Sequence, residues 1–173
     1  MKTILITGPI GSGKSEVSRY LVSKGYPVYD CDSRTKALYE SVPGLKKRIE
    51  DALGIKWSEI GIIFSDRERR ERLEAIVYPL VTEDFLRWRT SQDSRLVFIE
   101  SAIALEKPQF DNLYDDVLLV TADLEVRKER NPKAAQRDSL QVFDMDRINY
   151  RIDNDSSVEE LHIKTDEFLC RQI

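Results

Sequence analysis

The chain has 173 residues and a mass of 20.1 kDa, a length that suits one domain with a substantial hydrophobic core. Its 41% hydrophobic and 34% charged residues argue against a disordered chain, and its net charge of −4 argues against a nucleic-acid binder, which usually carries a basic surface. No apolar run is long enough for a signal-peptide core or a membrane span, so we predict a cytoplasmic protein with no membrane partner. We expect a monomer or a weak homo-oligomer, although the sequence itself does not reveal the oligomeric state.

The first predicted strand, Thr3–Thr7, runs directly into a glycine-rich segment. Residues 8–15 read Gly-Pro-Ile-Gly-Ser-Gly-Lys-Ser and satisfy the pattern G-x-x-x-x-G-K-[ST]. Glycines there let backbone N–H groups turn toward phosphate oxygens, the lysine reaches the β- and γ-phosphates, and the last serine offers its hydroxyl to Mg²⁺. A helix predicted to follow adds the positive end of its dipole. The residues predicted to bind the nucleotide are Gly8, Ile10, Gly11, Ser12, Gly13, Lys14, Ser15 and Glu16, and Lys14 is also a catalytic candidate.

Two aspartates, Asp30 and Asp32, lie at the carboxyl end of the second predicted strand, Pro27–Asp30. Open α/β sheets bind their ligands at this edge. A carboxylate there can orient an attacking hydroxyl and accept its proton, and Asp32 is our candidate for this catalytic base. Asp32 also directly precedes a helical pattern, Ser33–Glu40, so it could instead be only the N-cap of that helix.

The segment from about Ser33 to Thr90 has helical patterns throughout, and we predict that it is a helical region that binds the acceptor. Ser65 with Glu68 forms an S-x-x-E capping box that predicts a helix start, as does a second box later in the chain, Ser156 with Glu159. Pro79 lacks the amide hydrogen that a helix interior needs, so a kink or break is predicted near Tyr78.

Three more strands are predicted, and helical patterns separate them. They are Leu96–Glu100, Val117–Thr121 and the weaker Tyr150–Asp153. Parallel strands need crossover connections, which are usually helices, so the alternation predicts an α/β protein with a five-stranded parallel sheet of the P-loop NTPase fold. Glu100 ends the third strand, where a carboxylate can hold Mg²⁺ through water, and Glu100 and Ser15 are our candidates for binding this ion. The alternative is that Glu100 is a plain acid at the edge of the sheet.

A polar segment at about Asn131–Asp144 is predicted to be a lid. Cations in and before it could bind phosphate oxygens, since guanidinium groups do so in bidentate fashion. Most charges on such helices are simply solvated, so we expect only one or two of them to clamp ATP. The candidates are Arg127, Arg130, Lys133 and Arg137.

A switch GTPase is the main alternative for a protein with this phosphate-binding loop. The chain has no Asn-Lys-x-Asp sequence for guanine, and its only D-x-x-G match, Asp51–Gly54, ends a helical pattern instead of following a strand. Cys31 and Cys170 show no zinc-site spacing, and a lone His162 is a poor candidate for catalysis. These patterns favour a kinase.

Several segments resemble the dephospho-coenzyme A kinase family, a nucleoside-monophosphate-kinase-like group, and the similarity spans nearly the whole chain. The segments are Thr7–Ser15, Val28–Asp32, Phe64–Asp66 leading to Leu73–Pro79, Ile152–Asp155 and Ser157–Leu161. The resemblance implies a transferase of coenzyme A biosynthesis that moves the ATP γ-phosphate to the ribose 3′-hydroxyl of dephospho-coenzyme A.

The resemblance also implies roles for single residues. The second aspartate of the family's D-x-D element, here Asp32, acts as base, and Asn154 of its I-x-N element lies against the adenine of ATP. Arg137 matches the arginine of the family's lid. The chain departs from the family at Tyr78, where His is usual. Two other readings stay open: another small-molecule P-loop kinase of the same group, or a non-catalytic nucleotide-binding protein.

Overall fold

The computed structural model describes residues 1–134 and 143–172 and contains a five-stranded parallel sheet. The strand order is β2-β3-β1-β4-β5, and every neighbouring pair is parallel. All five strands therefore end at one edge. They are β1 (Lys2–Thr7), β2 (Val28–Asp30), β3 (Leu96–Glu100), β4 (Asp116–Thr121) and β5 (Tyr150–Asp153).

Helices connect and flank the strands, which confirms the predicted α/β class. Among the described residues the α-helices are α1 (Lys14–Ser23), α2 (Cys31–Ser41), α3 (Leu45–Leu53), α4 (Arg67–Thr90), α5 (Leu124–Arg130) and α6 (Val158–Cys170). Short 3₁₀ segments lie at Trp57–Phe64, Ala104–Glu106, Pro108–Phe110 and Met145–Arg147. In this described part, no helix combines the length and apolar character that crossing a membrane requires.

The contacts between Cα atoms group the chain into two compact units. The first comprises Met1–Asp30 and Gln92–Ile173 and contains the whole sheet. The three central strands, β1, β3 and β4, are nearly continuous apolar runs because residues facing either side of a parallel sheet are buried. The sheet forms a hydrophobic core with α1 and α6. Residues of this core include Ile4, Ile6, Val17, Leu21, Phe98, Leu118, Val120, Ile152, Leu161 and Phe168.

The second unit, Cys31–Ser91, is helical, as the sequence predicts for about 33–90. Helices α3 and α4 pack together, each with an apolar residue at every fourth position, the spacing that puts side chains on one helix face. The buried residues of the stripes are Leu45, Ile49 and Leu53 on α3, and Leu73, Val77, Val81 and Phe85 on α4. Acceptor binding by this unit stays a prediction.

The two predicted capping boxes are each wrong by one residue. Asp66 caps α4, where its carboxylate accepts from the Arg69 N–H at 3.0 Å, while the Ser65 hydroxyl donates to the Ile62 carbonyl of the preceding 3₁₀ turn. At α6 the cap is Ser157, which accepts from the N–H of Glu160. At both helices the next residue along the chain also has a side chain that favours the N-cap position, and this residue is the cap. The preceding backbone determines where the helix can begin.

Of the kink or break predicted near Tyr78, the break is wrong. Helix α4 continues through Pro79 for 24 residues. Proline removes one backbone hydrogen bond, but the stripe of buried side chains continues on both sides of it with Val77 and Val81. Tertiary packing therefore keeps the helix in one piece.

Asp32 is not the N-cap of α2. This helix begins at Cys31, so Asp32 lies within the first turn. A carboxylate in the first turn is still favourable for the helix dipole, but it does not fill the capping position. The D-x-x-G match, Asp51–Gly54, lies at the end of α3, as the sequence indicates, and Gly54 caps this helix in a left-handed conformation.

Candidate active site

The glycine-rich segment forms a tight loop between the end of β1 and the start of α1 at Lys14. Its glycines 8, 11 and 13 have φ values of 147°, 78° and 101°, which L side chains rarely adopt. A Cβ atom at Gly8 would lie 1.9 Å from the Val120 carbonyl oxygen, so the loop can pass β4 only as glycine. The predicted loop residues, Gly8, Ile10, Gly11, Ser12, Gly13, Lys14 and Ser15, thus form one continuous turn into a helix N-terminus.

Lys14 lies in the first turn of α1, and its ammonium group folds over the loop. Its Nζ donates to the Gly8 carbonyl at 2.8 Å and to the Pro9 carbonyl at 3.1 Å. The loop therefore carries a positive charge next to the N–H groups that begin α1. An anion is favoured there by the ammonium charge and by the helix dipole together.

Ser15 and Glu100 come together at the carboxyl edge of the sheet, as predicted. The Ser15 hydroxyl donates to Glu100 Oε1 at 2.8 Å although the two residues are 85 positions apart. Asp30 is the register partner of Glu100 in the β2–β3 pair, so the ends of these strands place two carboxyl-bearing residues side by side. Mg²⁺ prefers such hard oxygen donors and usually takes only one or two from the protein. The described residues hold no group of three or more His, Cys, Asp or Glu arranged for a metal.

Glu16 is held by two side chains. Arg19 donates to it from the next turn of α1, and His162 of α6 lies 2.9 Å away, between its Nε2 and Glu16 Oε1. The hydrogen bond from Arg19, and then that from His162, lowers the pKa of the Glu16 carboxyl. The His162 ring also stacks on Tyr20, with 3.9 Å between ring centroids. This cluster fixes the first turn of α1 against α6.

The predicted cations have different positions. Arg127 is buried and donates from Nε to the Ala122 carbonyl at 2.8 Å. Arg130 is exposed and reaches the loop, where its Nη1 lies 3.4 Å from the Gly11 carbonyl oxygen. Arg137 and most of the predicted lid lie outside the described residues.

The second unit carries the predicted base, Asp32, on the exposed side of the first turn of α2. Farther along α2, Arg34 makes a two-point contact with Asp84 of α4, at 2.8 Å for both nitrogen–oxygen pairs. Burial, and then the Glu74 carboxylate, raise the pKa of the Tyr78 phenol well above its usual range. Tyr78 is therefore a neutral hydrogen-bonding group.

Comparison with known proteins identifies the family. The family model described as CoaE: Dephospho-CoA kinase matches residues 2–166. The chain belongs to the dephospho-CoA kinase family. A dephospho-CoA kinase from Porphyromonas gingivalis is 42% identical over 139 residues, which are 75% of this chain and 68% of that relative.

Solved structures have the same fold as this dephospho-CoA kinase family member. The crystal structure of TT1252 from Thermus thermophilus matches with a TM-score of 0.83 at 30% identity, over 99% of this chain and 98% of that chain. A dephospho-CoA kinase from Campylobacter jejuni matches with a TM-score of 0.64 at 18% identity, over 98% and 96% of the two chains. The second likeness supports the fold alone.

Two contacts in this dephospho-CoA kinase family member were not predicted from the sequence. His162 binds Glu16 from 146 positions away, and Asn154 donates to the Ser12 carbonyl from 142 positions away. Both pairs form because α6 and the end of β5 pack beside α1 and its loop. The adenine contact implied for Asn154 stays a prediction.

Proposed function

We infer that the protein transfers the γ-phosphate of ATP to the ribose 3′-hydroxyl of dephospho-coenzyme A. The observation that carries this proposal is a complete phosphate-binding loop, with Lys14 and the Ser15–Glu100 pair in place, in a chain matched by its family profile over residues 2–166. Membership of the family makes the protein a phosphotransferase and ATP its phosphoryl donor.

The phosphate-binding loop supports ATP binding through geometry and charge. Backbone N–H groups at the start of α1 and the Lys14 ammonium form an anion site for the β- and γ-phosphates. Phosphoryl transfer needs little covalent help from the protein, since positioning and charge stabilisation account for most of the catalysis. Lys14 therefore acts twice: it binds the triphosphate and stabilises the charge that develops during transfer.

Mg²⁺ fits the pair formed by Ser15 and Glu100. The hydroxyl and carboxylate oxygens of these residues are the donors this ion prefers, and they already lie within hydrogen-bond distance of each other. When bound there with the nucleotide, Mg²⁺ would supply neutralisation of phosphate charge. Ser15 and Glu100 are thus proposed as its protein ligands.

Asp32 is the proposed base. Its carboxylate would accept the proton of the acceptor hydroxyl while that oxygen bonds to the γ-phosphorus and the bond to the β–γ bridging oxygen breaks, releasing ADP. The position of Asp32, two residues after the end of β2, and its exposed carboxylate support this role. Arg137 is the proposed phosphate clamp in the lid, and Glu16 and Asn154 are proposed to lie on the nucleotide side. Cytoplasmic location and a monomeric or weakly self-associating state stay predictions.

A panel of acceptors tests the proposal. ADP release is measured with Mg-ATP alone, with dephospho-coenzyme A, with shikimate and with nucleoside monophosphates. We expect release above background only with dephospho-coenzyme A, and we expect Lys14→Ala to abolish it. Release with another acceptor alone would favour a different small-molecule kinase. ATP binding with no transfer to any acceptor would favour a non-catalytic binder.

A further inference from the structure

Asn154 connects the end of the sheet to the phosphate-binding loop. It directly follows β5, and its own N–H donates to the Thr121 carbonyl at 2.7 Å, which continues the pairing of β5 with β4. Its residue surface is 94% buried, with 6% exposed. From this fixed backbone the side-chain Nδ2 donates to the Ser12 carbonyl at 2.8 Å. The amide thus connects a strand end to the loop.

The Ser12 carbonyl shares its peptide group with the N–H of Gly13. In a planar trans peptide the carbonyl and the N–H point in opposite directions, and the described chain has no cis peptide bond. A hydrogen bond that fixes the direction of the Ser12 carbonyl therefore also fixes the direction of the Gly13 N–H. That N–H belongs to the residue that caps α1, at the position where helix N-termini bind phosphate.

Close packing makes the contact specific. A Cβ atom at Gly13 would lie 2.3 Å from Asn154 Nδ2, so only glycine lets the amide approach its acceptor. Arg130 also connects Asn154 to the loop. Its Nη1 donates to the Asn154 carbonyl at 2.9 Å and lies 3.4 Å from the Gly11 carbonyl oxygen. Asn154 is therefore held from both sides while it holds the loop.

We propose that Asn154 is a positioning residue that orients the Ser12–Gly13 peptide for binding of the ATP phosphates. This inference rests on the proposed ATP-dependent function, and it differs from an adenine contact because the part of the ligand it acts on is the phosphate chain. A ligand without a base separates the two roles.

The test compares Asn154→Ala with the wild-type protein by calorimetric titration of Mg-ATP and of Mg-tripolyphosphate, which has no adenine. Losing a buried hydrogen bond and leaving the carbonyl unsatisfied should weaken binding of both ligands about tenfold. The KM for ATP should rise by a similar factor, and the KM for dephospho-coenzyme A should not change.

Asn149→Ala is the matched control. Asn149 lies just before β5 and accepts from the Val117 N–H at 2.8 Å, so this variant loses an asparagine–backbone hydrogen bond beside the same strand without touching the loop. It should bind both ligands as the wild type does. If Asn154→Ala weakens ATP binding but leaves tripolyphosphate binding unchanged, or weakens neither, the inference is wrong. If the wild type itself binds no Mg-ATP, the proposed function fails first.

Discussion

Replacing Gly13 by alanine should damage both the fold and nucleotide binding. The φ of Gly13 is 101°, and a side chain in the left-handed region costs about 1–2 kcal/mol. The new Cβ would also lie 2.3 Å from Asn154 Nδ2 and push this amide away from the Ser12 carbonyl. An unsatisfied buried carbonyl adds about 1–3 kcal/mol, so the free energy of unfolding should fall by about 2–5 kcal/mol in total.

Gly25→Ala separates the two contributions to that loss. Gly25 has a φ of 88°, but nothing lies within 4 Å of a Cβ atom built there, so its replacement carries the backbone strain alone. The difference between the two variants should therefore be about 1–3 kcal/mol. In an Asn154→Ala background most of that difference should vanish, because the clashing atom is gone.

Urea unfolding followed by far-ultraviolet circular dichroism is the assay, since both tryptophans, Trp57 and Trp88, lie in the second unit and would report on that unit alone. Mg-ATP titrations of the same variants add the functional readout. Equal stabilities for Gly13→Ala and Gly25→Ala, or an unchanged difference without the Asn154 side chain, would refute the reasoning.

Three further predictions concern catalysis, metal binding and ionisation. Asp32→Asn should lower kcat at least 100-fold with the ATP dissociation constant nearly unchanged, as measured by steady-state kinetics and calorimetry. If kcat falls this much in Asp30→Asn but not in Asp32→Asn, the base is Asp30 and our assignment is wrong. Ser15→Ala and Glu100→Gln should each raise the Mg²⁺ concentration for half-maximal activity roughly tenfold. If both variants give the same Mg²⁺ titration as the wild-type protein, neither residue is a ligand of the ion. Tyr78→Phe should leave the 295 nm tyrosinate absorbance of the folded protein unchanged at pH 10.5 but remove one of seven tyrosines from the signal in denaturant. Because the pKa of Tyr78 is raised in the folded protein, this group favours the folded state below about pH 10, and the effect is lost as pH rises through the folded pKa. Ionisation of Tyr78 in the folded protein at pH 10.5 would contradict its partly buried environment.

Local patterns predict the strands and the phosphate-binding loop well. The predicted strands Leu96–Glu100 and Tyr150–Asp153 have the same bounds in the structure. The first is a buried apolar run, as expected for a central parallel strand, whereas the second lies at the sheet edge and buries only Ile152. The pattern of residues 8–15 likewise predicts a strand, a loop and a helix in that order. Sequence also places Glu100 at the same sheet edge as the loop, which the Ser15 contact confirms.

The sequence predicts less well those features that depend on tertiary packing or on a choice between two adjacent capping residues. Ser65 and Asp66 are both competent caps, and only the preceding turn decides between them. Pro79 has a helix-breaking side chain, but its effect is overridden by the buried stripe of α4. Asn154 illustrates such a long-range contact, because its partner Ser12 is 142 positions away and no local pattern predicts that pairing.

The identity of the phosphorylated product tests the central claim most directly. Dephospho-coenzyme A is incubated with Mg-ATP and the protein, and the product is examined by mass spectrometry and phosphorus-31 NMR. The account predicts equal amounts of ADP and of coenzyme A carrying a new 3′-phosphomonoester. Unchanged dephospho-coenzyme A, or a phosphate at any other hydroxyl, would contradict it.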